Sequence, residues 1–288
     1  MSKHSTNIIA CTIFALLAFA GNSVLCRFAL GENTIDAASF TAIRLASGIT
    51  ILIIVATMTK KTKDVRSKGS WLAASMLFTY AVAFSYGYIS LDTGVGALIL
   101  FGAVQITMVI VGLISGERLH YSEWLGLFIA FSGFVYLVIP SLTTPSLTGF
   151  ILMTISGVAW GLYTLVGRYS KQPINDTAYN FLRTSPFIFA LMIFTFKTSH
   201  ITPEGILLAV LSGAIASGAG YAAWYVAIGG LSVTQAAVVQ LFVPIVAAIG
   251  GVIFASEIIT LRLVESSALV LGGILTVILG RNYFVSRV

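Results

Sequence analysis

Residues 220–257 read "GYAAWYVAIGGLSVTQAAVVQLFVPIVAAIGGVIFASE", and only the last of them is charged. The stretch takes in the end of one apolar run that begins near 204 and the whole of a second, 232–254, each about 20 residues or more and so long enough to cross a bilayer at 1.5 Å per residue, with a Gly-Gly link between them. Hydrocarbon offers no partner to backbone N–H and C=O groups, so each run must close its own hydrogen-bond ladder as a helix. Polar interruptions nevertheless stand inside them: Trp224, Gln235, Gln240 and the helix-breaking Pro244. A fainter version occurs about 140 residues earlier, where residues 81–117 read "AVAFSYGYISLDTGVGALILFGAVQITMVIVGLISGE".

The whole chain shares this character. Of its 288 residues 58% are hydrophobic and 9% charged, with mean hydropathy +0.99, whereas a soluble domain carries about 25% charged residues. Ten apolar runs are predicted to span, near 8–28, 36–57, 70–90, 94–114, 122–140, 148–168, 178–197, 204–226, 232–254 and 263–280. The links, such as "KKTKDVRSKGS" (60–70) and "YSKQPINDT" (169–177), are too short for a soluble domain. Run 8–28 is longer than the roughly 7–15-residue apolar core of a secretory signal, so it is expected to stay as the first span. Cys11 and Cys26 stand on that same span, about 22 Å apart along a helix, and read as packing thiols without a bridge.

Orientation follows from the basic residues. With a cytoplasmic N-terminus, eleven Lys and Arg fall on the inner side and three, Arg27, Lys197 and Arg262, on the outer, leaving Arg44 and Arg183 within spans. That asymmetry predicts both termini in the cytoplasm. The net charge of +6 then reflects topology and attraction to anionic membrane lipid. Nucleic acid is not an expected partner, because no basic patch alternates with exposed aromatics.

Laying "FALLAFAGNSVLCRFA" (14–29) over "ISGVAWGLYTLVGRYS" (155–170) pairs Phe19 with Trp160, Asn22 with Tyr163 and Arg27 with Arg168, all at an offset of 141. Arg44 and Arg183, and Tyr86 and Tyr225, pair at 139, while Glu117 and Glu257, and Gly133 and Gly273, pair at 140. An offset constant to one residue across half the chain predicts an internal repeat of five spans. Five is odd, so the second copy enters the membrane inverted. The expected fold is all-α and integral to the membrane, with ten transmembrane helices in two inverted five-helix repeats, 8–140 and 148–280. Inverted repeats place a solute site near the midplane between halves that rock around it.

The segments "GLISGERLHYSEWLGLFIAFSGFVYLV" and "GVIFASEIITLRLVESSALVLGGILTVILG", with "GVAWGLYTLVGRY" opening the second half, resemble the EamA-type domains of the drug/metabolite transporter superfamily. The second half, with "AAWYVAI" and "QAAVVQLFVPIVAAIGGVIF", resembles the family more closely; the first has Val104 where Pro244 maps. The resemblance implies a ten-helix basket, often exporting amino acids or other small metabolites across a bacterial inner membrane, with helices 1, 3, 4, 6, 8 and 9 around the cavity.

Candidate site residues are the polar and aromatic groups within spans. An amide without partners in hydrocarbon costs several kcal/mol, so Asn22, Gln105 and Gln240 are expected to face protein or a watery path. Hydrogen bonds to a solute and hydrogen bonds between helices both meet that need. Tyr80, Phe84, Trp160, Tyr163, Tyr221 and Trp224 lie away from the interfacial belts and line a pocket for an organic solute, or pack the core. Pro244 removes a backbone donor and kinks the ninth span, a feature of use to a gate. Arg44 and Arg183 each stand a few residues inside a span: either they snorkel or pair with helix ends, or one reaches the cavity and contacts an anion. For Arg27 and Arg168, capping of a helix dipole suffices.

Other chemistries lack material. No carboxylate is predicted in mid-span, as exchange of a proton for a cationic drug requires, so neutral, zwitterionic or anionic solutes are favoured. His4, His120 and His200 lie in the tail or near links, which leaves neither a triad nor a metal cluster inside the membrane. "GAGYAA" (218–223) fits a dinucleotide fingerprint in form only, since an apolar helix surrounds it, and "GVAWG" (157–161) serves close helix packing. A secondary exporter of amino acids or similar small organic metabolites is therefore expected, with no cofactor, no metal and no obligate protein partner. Alternatives are an organic-anion or phosphorylated-metabolite exchanger and, from another class, an integral-membrane enzyme or structural subunit.

Overall fold

A computed structural model describes residues 3–58, 69–116, 119–139, 145–167, 170, 172–228, 230–231 and 239–280. The helices are α1 (Lys3–Gly31), α2 (Ala37–Met58), α3 (Trp71–Tyr88), α4 (Thr93–Ile114), α5 (Tyr121–Val138) and α6 (Leu147–Gly167). They continue with α7 (Pro173–Arg183), α8 (Ser185–Thr195), α9 (Pro203–Ile228), α10 (Phe242–Ala255) and α11 (Leu261–Gly280). Among the described residues no strand forms, apart from an isolated bridge between Ile35 and Ile201. Six helices, α1, α2, α4, α6, α9 and α11, are long and apolar enough to cross a membrane, and shorter apolar helices lie within α5 and α10. This is a multi-pass membrane protein. Residues 232–238 of the ninth predicted span, including Gln235, lie outside the described residues.

The seventh predicted span, 178–197, needs correction. It starts earlier, at Pro173, and is broken into α7 and α8 at Thr184. Pro186 has no N–H for the Leu182 carbonyl, and the Ser185 hydroxyl donates to that oxygen instead at 2.7 Å. Proline thus disrupts the ladder while its neighbour satisfies the orphaned acceptor.

Packing sets which helices surround the centre. α5 lies along α11; α3 and α4 pack on α6; α1 packs on α9 and α10; α4 also meets α10, and α2 meets α7 and the middle of α9. Small residues allow the closest contacts. The two glycines of "GVAWG" seat α6 on α4, a Cβ at Gly157 falling 2.6 Å from the Leu100 carbonyl oxygen. A Cβ on Gly273 would lie 2.5 Å from the Ala130 amide nitrogen, so α5 and α11 meet backbone to backbone.

Within α9, residues Leu211–Ala219 form a π-helix, a widened turn that is rare and concentrates at functional sites. It lies against α2 at Arg44: a Cβ on Gly213 would fall 2.0 Å from the Arg44 carbonyl oxygen.

At the start of α2, Asp36 Oδ1 accepts from the Ser39 amide and Oδ2 from the His200 amide, each at 2.9 Å. Partial burial raises its pKa, but hydrogen bonds from Ser39, His200 and Ala38 outweigh burial and hold the carboxyl below the usual range. A carboxylate lowered in the folded state stabilises fully above its unfolded value of about 3.9, and that stability is lost as pH falls through the folded value. Melting curves from pH 6 to 3 are expected to show an acid-side decline in Tm that Asp36→Asn flattens; parallel declines would contradict this cap.

Candidate transport cavity

Two spaces lie among α1, α3, α4, α6 and α9, divided by Phe19, Trp160 and Tyr221, which line both. The larger, about 460 Å³, carries Gln105, Tyr163, Trp224 and Gln240 on its walls and extends to the helix ends at Gly167 and Leu231. The smaller, about 20 Å³, is a chamber lined by Asn22, Tyr80, Phe84 and Ser217, besides the shared wall. Nine predicted site residues thus line these two adjoining spaces. Pro244 and the two arginines line neither space.

Aromatic stacking builds the dividing wall. Trp160 stacks on Tyr221 with centroids 4.9 Å apart and planes at 23°, and on Tyr163 at 5.4 Å and 27°. Its other neighbour is Tyr80, at 4.9 Å, and Phe19 meets Trp224 edge-on at 5.8 Å. Such pairs contribute about 0.5–1.5 kcal/mol each beyond area burial, so stacking stabilises the wall. Asn22 is buried and paired on both sides, its amide donating to the Tyr80 hydroxyl at 3.4 Å and its oxygen accepting from Ser212 at 2.6 Å.

Arg44 does not snorkel. It stands seven residues into α2, about 10 Å along the axis, and is 1% exposed. Nη2 donates to the Tyr80 hydroxyl at 2.9 Å and Nε to Ser217 at 3.4 Å, while the Phe84 and Tyr80 ring centroids lie 4.7 and 5.2 Å from its Cζ. Arg183, its counterpart in sequence, ends α7 with its Cζ 5.5 Å from the Trp71 ring centroid, away from both spaces. Pro244 sits in the first turn of α10, behind a break at Leu241. Gln240 lies four residues before it, where the ladder would have used the missing N–H. Ser212 and Ser217 escaped the sequence reading. They sit in the small-residue run "LSGAIASGA" of the π-helix, and that hydroxyl-bearing run was the available signal.

At the opposite end from Gly167 and Leu231, Arg27 does more than cap a helix. Nε meets Glu257 Oε1 at 3.3 Å and Nη2 lies 3.6 Å from Asp92, while Nη1 donates to the Tyr88 and Ile89 carbonyls. Glu257 in turn accepts from the Thr93 amide at 2.9 Å and its hydroxyl at 3.0 Å. This latch ties α1, the end of α3, the start of α4 and the α10–α11 link. Beyond it lies a recess of about 300 Å³ lined in part by Ser90, Asp92, Ser146 and Glu257. The equivalent pair in sequence, Glu117 and Arg168, lies outside the described residues. Among the described residues, no cluster of three or more His, Cys, Asp or Glu could hold a metal ion.

A helical membrane bundle enclosing an aromatic, amide-lined cavity that reaches one of its ends defines a membrane transporter. The EamA-like transporter family model matches residues 147–279, the half in which the resemblance is stronger. The chain is 46% identical over 270 residues to an uncharacterized protein of Pseudomonas aeruginosa, covering 94% of each. It is 26% identical over 247 residues to an uncharacterized transporter of Archaeoglobus fulgidus, covering 83% of this chain and 88% of that one. A solved crystal structure superposes with TM-score 0.64 at 17% identity, over 92% of this chain and 96% of the other, which shows the shared fold. The chain belongs to the EamA-like transporter family.

Proposed function

We propose that the protein is a secondary exporter of amino acids or similar small organic metabolites across the inner membrane, alternating access between two inverted five-helix units, 8–140 and 148–280. The observation that carries this reading is an asymmetry: the 460 Å³ cavity reaches one end of the bundle, while the Arg27–Glu257–Thr93 latch holds the other. A volume in the roughly 300–1,000 Å³ class suits a small organic solute. Helix packing supports the repeat, because it maps onto itself when the halves are exchanged: α6 meets α3 and α4 as α1 meets α9 and α10, and the α5–α11 and α4–α10 pairs exchange with themselves. With the basic links inside, the open end is cytoplasmic and both termini lie there.

The test is counterflux from proteoliposomes loaded with a mixed panel of amino acids, organic acids and sugars, read by mass spectrometry. Efflux of one chemical class, saturable and absent from empty liposomes, is expected. Folded protein that moves nothing overturns the reading.

A further inference from the structure

We propose that the solute binds as a single carboxylate, its negative charge set against Arg44 in the chamber lined by Tyr80 and Ser217; this rests on the transport reading above. Charge balance is the first argument. Arg44 is 1% exposed, and no carboxylate among the described residues lies within 4.0 Å of it, since the ion pairs found there belong to Arg27. A buried cation without a counter-charge is strongly unfavourable, and an arriving anion relieves that cost.

Geometry is the second argument. Phe84 and Tyr80 fix the guanidinium, Nη2 and Nε are engaged by Tyr80 and Ser217, and Nη1 is buried with no hydrogen-bond partner. Nη1, with both of its N–H groups, therefore remains unused behind Tyr80 and Ser217, which with the amide of Asn22 form the polar walls of the small space. That space, about 20 Å³, holds about one water-sized group, the size of a carboxylate oxygen. The wall separating it from the larger cavity consists of side chains, so the carboxylate enters by rotamer movement with no break in a helix.

Charge count selects among anions. One guanidinium, set behind the small chamber's Tyr80 and Ser217, with no cationic side chain lining either space, matches one negative charge, whereas a phosphate monoester brings about −1.5 to −2 and leaves an excess in low dielectric.

The full-length protein in detergent is melted with each of the twenty L-amino acids and a set of 2-oxo and 2-hydroxy acids, each beside its primary amide. Ligands that bind the folded state raise Tm according to their affinity. At least one acid is expected to bind tenfold or more tightly than its amide, with Arg44→Gln abolishing that preference and Arg44→Lys retaining part of it. Equal binding of acid and amide, or an acid preference that survives in Arg44→Gln, overturns the anchor and leaves the transport reading intact. Binding by no acid also overturns it, while counterflux decides transport separately. If Arg44→Gln does not fold, the acid-to-amide ratio of the native protein decides.

Discussion

Gly213→Ala is expected to lower Tm by roughly 5–10 °C or to prevent accumulation of folded protein, the largest stability effect of any single-methyl change considered. The added Cβ falls 2.0 Å from the Arg44 carbonyl oxygen and 2.1 Å from Ser47 Oγ. A hydroxyl can rotate away, but a backbone carbonyl inside a helix cannot. The π-helix of α9 would have to lift from α2 by about 1 Å, and overpacking of this kind costs about 1–3 kcal/mol or more, which for a chain of this size is several degrees. Gly21→Ala and Gly272→Ala supply the controls, because nothing lies within 4 Å of either new Cβ. Both are expected to be neutral or slightly stabilising, as alanine is in a helix. Equal Tm for all three variants would contradict the close approach of α2 and α9.

The second large effect concerns access. In a Cys11→Ser, Cys26→Ala background, Ser23→Cys places a thiol one turn below Arg27, where Ser23 is 1% exposed. Glu257→Gln removes the charge that holds Arg27 and weakens acceptance from Thr93. A partly exposed, charge-assisted contact of about 1–2 kcal/mol corresponds to roughly tenfold in the population opened to the outer side. Labelling of Ser23→Cys by an impermeant maleimide added outside is therefore expected to rise about tenfold on adding Glu257→Gln. An unchanged rate would show that the latch does not hold this end shut.

Much of the bundle was legible in the sequence, because span length and hydrocarbon solvation leave helices few alternatives. Legibility failed where a local device overrode composition. The run 178–197 looks continuous in hydropathy, yet Pro186 breaks it and the polar Asn175–Asp176 turn adds helix upstream that apolarity does not signal. Trp160, Tyr221 and Asn22 stood out as polar or aromatic groups in a greasy setting, and the fold brings them together. Arg44 and Arg183 show the limit: at matched positions in sequence, one is buried against Tyr80 and Phe84 and the other rests on Trp71. Depth along a helix was readable, but azimuth depends on the neighbours a side chain meets. Ser212 and Ser217 were missed for a related reason: their small-residue run was visible, but a π turn shifts which residues share a face.

Backbone contact between α5 and α11 through Gly126, Gly133 and Gly273 turns their broad outer faces away from the centre, with Phe128 and Phe131 on α5 and Val264 on α11 more than half exposed. Those positions are held only to hydropathy. Drift among leucine, isoleucine, valine and phenylalanine there should pass unnoticed by the cargo, so divergent homologues are free to accumulate changes on these rows while the glycine seam stays fixed.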